Sequence, residues 1–452
     1  MLISKEKNFY KLIMSIALPI AVQNLINFAV GMIDTMMLGS LGEIQLSAAA
    51  IGNNLFFILM VLMFGLAGGS NILISQYWGK GDVKSIHKIL ALMYRACIVI
   101  TSIFIGIAMF IPSMFIKLYT SDINVIEAGS AYLRIVAIGY IFYAITNCTI
   151  MILRSVKTVR ISLVVYTASL VVNAFFNWVF IFGKLGAPAL GVKGAAIATV
   201  IARITEFTIV MCFMVFFENK INLKVKHLLK VDKVILKDYI ANCTPVLFNE
   251  LLWSSGSTMI SIIIGRLGTE TVAANSISNV VFNFVTVFIF GLSNATAVII
   301  GNTIGEGKND KAREYARTIG VLSVLMGIMA AIVIQIIKPF VVDFYNVSEL
   351  TKSIAIDLMS VTSIIVIFQS LGINLMMGVL RGGGDAKFVL INDIIFMWVV
   401  AIPLGFIAAF ILNWPVAVVF FIVKSDEIIK SIISVIRVFS GKWVRNLTRD
   451  FA

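Results

Sequence analysis

Residues 38–82, LGSLGEIQLSAAAIGNNLFFILMVLMFGLAGGSNILISQYWGKGD, decide the fold, because the chain contains a second version of them. A shift of 226 residues lays them without a gap on residues 264–308, IGRLGTETVAANSISNVVFNFVTVFIFGLSNATAVIIGNTIGEGK. Between Gly39 and Gly81, 14 of 43 positions are identical across that shift. The same offset brings Pro19 onto Pro245 and Asn24 onto Glu250, and an offset of 227 brings Leu153 and Arg154 onto Leu380 and Arg381 and Pro188 onto Pro415. One offset held through such different local compositions marks an internal duplication.

The duplicated stretch is apolar. From Ile44 to Gly79 there is no charge, and between Lys11 and Glu43 the only charge is Asp34. Each run exceeds the ~20 residues that span a bilayer. Over the whole 452 residues, 60% are hydrophobic and 13% charged, against roughly 25% charged in a soluble domain. The chain is therefore read as an integral membrane protein. The runs are continuously apolar and do not alternate in short pieces, so they predict helices and exclude a barrel. Helices are expected near 12–38, 46–75, 92–116, 130–153, 161–183, 190–217, 238–265, 272–303, 317–341, 354–380, 388–412 and 415–438. The basic start, MLISKEKNFYKLIMS, leads into an apolar run too long for a signal peptide, and reads as a retained first helix.

Each half has six helices, an even number, so both halves cross the membrane in the same sense as parallel repeats. Such halves commonly rock around a site between them. The expected organisation is a first lobe over 1–220, a linker over 221–236, a second lobe over 237–440 and a tail over 441–452. The net charge is +13. Of the Lys and Arg, about 27 fall on the side that holds the termini, against about 7 on the other. This predicts a multi-pass protein of the inner (plasma) membrane with both termini cytoplasmic. A basic inner face accounts for the charge excess and leaves no case for nucleic acid. Cys97, Cys148, Cys212 and Cys243 fall singly in apolar runs and read as packing residues. His87 and His227 lie in charged loops, so no metal cofactor is expected. RGGGD at 381–385 lacks the spacing and the Lys-Ser/Thr of a nucleotide loop and reads as a short turn.

An ionisable group at membrane depth costs about 2.5 to 3.5 kcal/mol on insertion scales and usually marks a pathway or site. Asp34, Glu206, Glu250 and Asp393 qualify. Asp34 lies about 6 Å inside the outer end of the first helix. The fifth helix offers Asn173 and Asn177, an i, i+4 pair on one face, and the sixth carries Thr199 at similar depth. Hard oxygens around one carboxylate suit Na⁺, and a desolvated carboxylate could instead exchange H⁺. Glu250, near the middle of the seventh helix and flanked by Asn249 and Trp253, has no Lys nearby and suits a lipophilic cation or a proton. Asn275, Ser276, Asn279 and Asn283 form a polar stripe on the eighth helix that could line the same cavity. Pro19 and Pro245 each remove a bond inside a helix and permit a hinge.

Four segments, DTMMLGSLGEIQLSAAAIG, ILRSVKTVRISLVVYTASLVVNAFFNWVFIFGKLGAPALGVKGAAIATVIAR, GVLRGGGDAKFVLINDIIF and SGKWVRN, resemble the multidrug and toxic compound extrusion (MATE) transporters along the whole chain. The resemblance implies an all-α membrane fold of twelve transmembrane helices, in two pseudo-symmetric six-helix lobes around a V-shaped cavity. It also implies export of amphipathic or cationic organic compounds, by antiport against Na⁺ or H⁺ with alternating access. In that reading Asp34, Asn173, Asn177 and Thr199 are the coupling-cation site. Glu250, Asn275, Ser276, Asn279 and Gln369 line the substrate cavity, and Pro19 and Pro245 are hinges. Many bacterial relatives carry an acid on the tenth helix; here none lies between Asp357 and Asp385, and Gln369 and Asn374 are the polar groups available. No cofactor and no catalytic residue is expected, and a monomer is. The competing reading is a flippase for lipid-linked oligosaccharides of related fold, which should line its cavity with several Lys or Arg. An enzyme would need a paired nucleophile and base, and none is present in the pattern.

Overall fold

The computed structural model describes residues 3–228 and 232–450, so part of the expected linker over 221–236 and the last two residues of the tail lie outside the described residues. The helices are α1 (Lys7–Gly39), α2 (Glu43–Lys80), α3 (Val83–Phe110), α4 (Pro112–Lys117), α5 (Ile123–Val136), α6 (Ile138–Ser155), α7 (Arg160–Phe182), α8 (Val192–Phe216), α9 (Val225–Leu228), α10 (Lys233–Gly265), α11 (Thr269–Gly305), α12 (Asn309–Phe344), α13 (Glu349–Ile373), α14 (Ala386–Asp393), α15 (Ile402–Phe410), α16 (Val416–Lys424) and α17 (Asp426–Phe439). π-helical turns over Asn374–Leu380 and Ile394–Ala401 follow α13 and α14.

The duplication is visible in the boundaries. α1, α2, α3, α5 and α7 begin at residues 7, 43, 83, 123 and 160, and α10, α11, α12, α13 and α14 begin 226 residues later in each case. The turns repeat as well. Gly42 and Gly268 have φ of 109° and 127°, and Gly81 and Gly307 have 81° and 76°. A side chain is disfavoured in that left-handed region, which is why both copies spend a glycine there.

Among the described residues, eleven helical stretches are long and apolar enough to span a membrane. The sequence expectation was twelve. The difference is 415–438, which forms α16 and α17 on either side of Ser425 and carries Lys424, Asp426, Glu427 and Lys430 in its middle. The stretch expected over 130–153 starts earlier, as α5, capped by the Asp122 carboxylate accepting from the Asn124 N–H at 2.9 Å. It breaks at Ala137 and continues as α6. The tenth and eleventh expected helices contain the two π-helical turns, which a hydrophobicity pattern does not reveal.

By its contacts the chain forms two compact units, one made of residues 3–21, 71–82 and 244–450, the other of 22–70, 83–228 and 232–243. Three helices pass from one unit to the other without interruption. α1 crosses after Ala21, two residues beyond Pro19; α2 crosses after Ser70, beside Gly68 and Gly69; α10 crosses after Cys243, two residues before Pro245. The core of the first unit is built by residues such as Ile260, Ile277, Leu358, Met397 and Val419. In the second, Ile150, Leu153, Val165 and Val210 form one centre of packing. All four cysteines are free, and three of them are buried. His87 belongs to α3, not to a loop, and its ring stacks on His227 with centroids 4.1 Å apart.

Within the first unit, the end of α2 crosses α11 through the two copies of the same motif. A methyl group added at Gly79 would overlap the Asn302 carbonyl, and one at Gly305 would overlap the Gln76 carbonyl. Gly79 and Gln76 are the repeat partners of Gly305 and Asn302, so the crossing is made of two equivalent contacts. The obstacle on each side is backbone, which cannot rotate away. Gly305→Ala is expected to destabilise the protein by about 1–3 kcal/mol through overpacking. Gly106→Ala, where a Cβ meets nothing within 4 Å, is expected to be neutral. Thermal unfolding of the detergent-solubilised variants checks both.

Candidate functional site

In the second unit, the last turns of α1 bring the half-buried Asp34 against α7. On α7, Asn173 and Asn177 share a face and are both buried. The Asn177 amide Nδ2 donates to Asp34 Oδ1 at 2.5 Å and to Asn173 Oδ1 at 3.1 Å. One amide therefore joins a carboxylate to a second carbonyl. The Asn177 Oδ1 is buried and has no hydrogen-bond partner among the described residues, although a buried amide oxygen normally finds one. The Thr199 hydroxyl donates to the Ala195 carbonyl of its own helix at 3.0 Å and takes no part in the Asp34 bonds. The structure thus joins three of the four expected residues directly. Their oxygens offer the hard ligands that suit an alkali cation.

Glu206, the other acid of this unit that the sequence singles out at membrane depth, is fully engaged. Arg203 Nη1 donates to both its carboxylate oxygens at 2.9 and 3.0 Å, and Ser169 Oγ donates to Oε1 at 2.5 Å. The guanidinium lies 4.9 Å from the Tyr143 ring centroid and 5.4 Å from that of Phe56, within cation–π range. Glu206 and Arg203 neutralise each other.

The sequence reading of Glu250 noted no Lys nearby; the cation beside it in the structure is an arginine. Arg381 Nη1 donates to Glu250 Oε1 at 2.6 Å, with both side chains buried. Arg381 opens the RGGGD segment that reads as a turn. The turn is present at Gly383 and Gly384, but Arg381 itself points inward from the π-helical stretch before it. Its Nη2 also donates to Asn249 Oδ1. The repeat held the signal: Arg154, its partner, donates through Nη2 to Gln23 Oε1, and Gln23 is the partner of Asn249. Each copy therefore joins the arginine after its fourth span to an amide on its first. Only the second copy adds an acid, at Glu250.

The chain of contacts continues. Asn249 Nδ2 donates to Asp393 Oδ2 at 2.6 Å, and Lys430 Nζ lies 3.1 Å from Asp393, 2.8 Å from Asp426 and 3.3 Å from Glu427. Asp426, Glu427 and Lys430 were not singled out from the sequence. Their i, i+3 and i, i+4 spacing inside an apolar stretch was the available sign. Gln369 is buried on α13, and no acid of that helix joins the cluster; the carboxylates come instead from α10, α14 and α17. On α11, Ser276, Asn279 and Asn283 are exposed and Asn275 is half-buried, so the stripe lies on an open face of that helix and does not bond to Glu250.

The Arg381–Glu250 pair can be tested as a closed unit. Arg381→Ala strands a buried carboxylate and is expected to cost about 3–5 kcal/mol, whereas Glu250→Gln added to Arg381→Ala removes the stranded charge and restores most of the loss. A double-mutant cycle on unfolding midpoints reads the difference.

The family described as MatE matches residues 19–179 and 245–407. A probable multidrug resistance protein NorM of Thermotoga maritima is 25% identical over 447 residues, 97% of this chain and 95% of that protein. The uncharacterized transporter YisQ of Bacillus subtilis is 23% identical over 433 residues, covering 95% and 94%. The multidrug resistance protein MdtK of Photorhabdus laumondii is 23% identical over 401 residues, covering 87% and 86%. Among solved structures, an outward-facing multidrug resistance MATE family transporter superposes with a TM-score of 0.85 at 17% identity, over 97% of this chain and 99% of that one. The Vibrio cholerae MATE transporter VcmN in its bent form gives 0.86 at 16% identity, over 96% and 97%. The likeness to these structures is one of fold.

Proposed function

The chain belongs to the MatE family, and from that premise we propose that it is a secondary active exporter of amphipathic or cationic organic compounds, driven by Na⁺ or H⁺ through Asp34. The observation that carries this reading is the Asp34–Asn177–Asn173 arrangement. A carboxylate at membrane depth is held by one amide nitrogen, while the oxygen of that same amide is buried with no donor. A cation bound there would gain a charged oxygen and at least one neutral one, and a proton would neutralise the acid. Thr199, whose hydroxyl donates within its own helix, keeps oxygen lone pairs for the same ion.

The repeat supports a dedicated role for Asp34. Its partner position in the second copy is Ile260, so helix architecture does not require an acid there. The driving force suffices: one pH unit is worth ~1.4 kcal/mol and 100 mV about 2.3 kcal/mol per charge. Together they sustain roughly a 500-fold substrate gradient per ion. The relatives named as multidrug resistance proteins support the substrate class. So does the exposed polar stripe of Ser276, Asn279 and Asn283 on α11, interleaved with Phe284 and Phe288, which suits amphipathic molecules.

Alternating access would use the three helices shared by both units. Pro19, the Gly68–Gly69 pair and Pro245 each stand within two residues of a crossing point. A proline leaves a helix one bond short, and a glycine pair stiffens it least. We assign these positions as hinges, with both termini cytoplasmic in the plasma membrane.

Asp34→Asn is expected to lower ion-driven efflux of a lipophilic cation from proteoliposomes at least about tenfold, a loss of ~1.4 kcal/mol or more, with the unfolding midpoint unchanged. Asn177→Leu should act in the same direction. Native rates from Asp34→Asn would sink the site, and imposing a Na⁺ gradient or a pH gradient in separate runs identifies the ion.

A further inference from the structure

The first unit holds a buried charge imbalance that the Asp34 site does not use. Lys430 on α17 is 2% exposed, and its three ammonium hydrogens meet three carboxylates, at 2.8 Å from Asp426, 3.1 Å from Asp393 and 3.3 Å from Glu427. Three acids against one base leave two uncompensated negative charges if all are ionised. Arg381, the next cation along the network, is already balanced by Glu250. Lys424 also faces Glu427, but its ammonium lies against the Phe282 ring at 6.0 Å and makes no ion pair among the described residues. On α13, Gly372 faces Glu427 and Ser431 and brings no charge. On α12, Arg313 and Arg317 lie further along, against Gly441 and Phe439.

Carboxylates gathered in this way cannot all stay ionised out of water. A single buried ion costs several kcal/mol even after relaxation, and like charges sharing a site hold a proton between them. A second observation points to where the proton goes. Asp426 is 3% exposed, its Oδ2 accepts from Lys430, and its Oδ1 is buried with no hydrogen-bond partner among the described residues. Asp393 spends both oxygens, on Lys430 and on Asn249. Glu427 is the least buried of the three, at 13% side-chain exposure. The two π-helical turns, which often accompany functional positions, lie at Arg381 and Asp393, the two ends of the bridge from this cluster to Glu250.

We propose that the Asp426–Glu427 pair, organised by Lys430 and Asp393, is a second proton-binding centre of this transporter, distinct from Asp34. The step is the addition of one proton from water to a carboxylate oxygen and its return; only an O–H bond forms and breaks. Lys430 stays an ammonium throughout, because three acids surround it, and it redistributes its hydrogen bonds as the pair gains or loses the proton. The repeat gives the centre its asymmetry. Lys430 is the partner of Arg203 at an offset of 227, but Arg203 faces the single acid Glu206 and forms a neutral pair.

The test is infrared spectroscopy of the full chain in lipid, carried out in the Asp34→Asn background so that the outcome is independent of the first site. The C=O stretch of a protonated carboxyl is expected at neutral pH, sensitive to deuterium exchange, and reversibly lost as pH is raised. The neutral-pH band should be lost in D426N/E427Q, retained in Lys430→Arg, and increased in Lys430→Gln, where the acids lose their cation and take up protons instead. D426N/E427Q relieves the charge excess and so keeps the fold available for the measurement. Absence of the band in the parent, a band that does not titrate, or an unchanged band in D426N/E427Q overturns the proposal.

Discussion

The crossing of α2 and α11 is the contact on which the first unit is organised. Two glycines, one from each copy of the repeat, let backbone meet backbone where any side chain would intrude. Gln76, at the centre of that crossing, then turns its amide to the chain terminus. Its Nε2 donates to the Arg445 carbonyl at 3.1 Å, and its Oε1 accepts from the Leu447 N–H at 2.8 Å. The tail is fixed further by Arg445 donating its N–H to the Gly383 carbonyl at 2.9 Å and by the fully buried Trp443, which packs on Gly383. Close helix approach through small residues is the usual way membrane helices gain packing without a hydrophobic driving force. Here it also places the RGGGD turn, and with it Arg381, which in turn fixes Glu250.

How much of this could be read from the sequence depends on the kind of interaction. Hydropathy gives the spans because the bilayer demands long apolar runs, and the repeat gives their pairing because both copies obey the same turn geometry at Gly42 and Gly268. The Asp34–Asn177–Asn173 grouping was legible since depth along a helix is a matter of rise per residue, and two amides four residues apart must share a face. Arg381 was not legible in the same way. A turn signal follows it directly, and its inward placement shows only by analogy with its repeat partner Arg154, which is buried against Gln23. The split of the last span at Ser425 was hidden for a related reason: no proline or glycine marks it. Lys430, Asp426 and Glu427 share α17 and their spacing was a sign, but the fourth member, Asp393, comes from α14, and no local pattern announces that contact.

The two copies of the repeat share a frame and differ in their charges. Each joins an arginine after its fourth span to an amide on its first, Arg154 to Gln23 and Arg381 to Asn249. Each carries a base on its last span, Arg203 or Lys430. What has been added differs. The first copy has Asp34 in the last turns of α1, with an amide pair beside it and no cation in direct contact among the described residues. The second has Glu250, Asp393, Asp426 and Glu427, linked through Arg381 and Lys430 into one network.

Under the proposed function, that difference bears on how the protein would couple an ion to a substrate. An acid held only by neutral amides changes charge fully when its ion leaves, so its half of the molecule feels the whole electrostatic change. An acid paired to arginine or lysine changes the network's charge against a fixed positive background, and the hydrogen bonds of that background rearrange with it. Asp34 is of the first kind, and the acids around Lys430 are of the second. The first suits capture of an ion from water. The second suits converting a change of protonation into a change of helix contacts, because Lys430 holds two carboxylates of its own helix, Asp426 and Glu427, together with one of α14, Asp393. Duplication supplied two equivalent frames; the placement of six acids, Glu206 among them, has made them unequal.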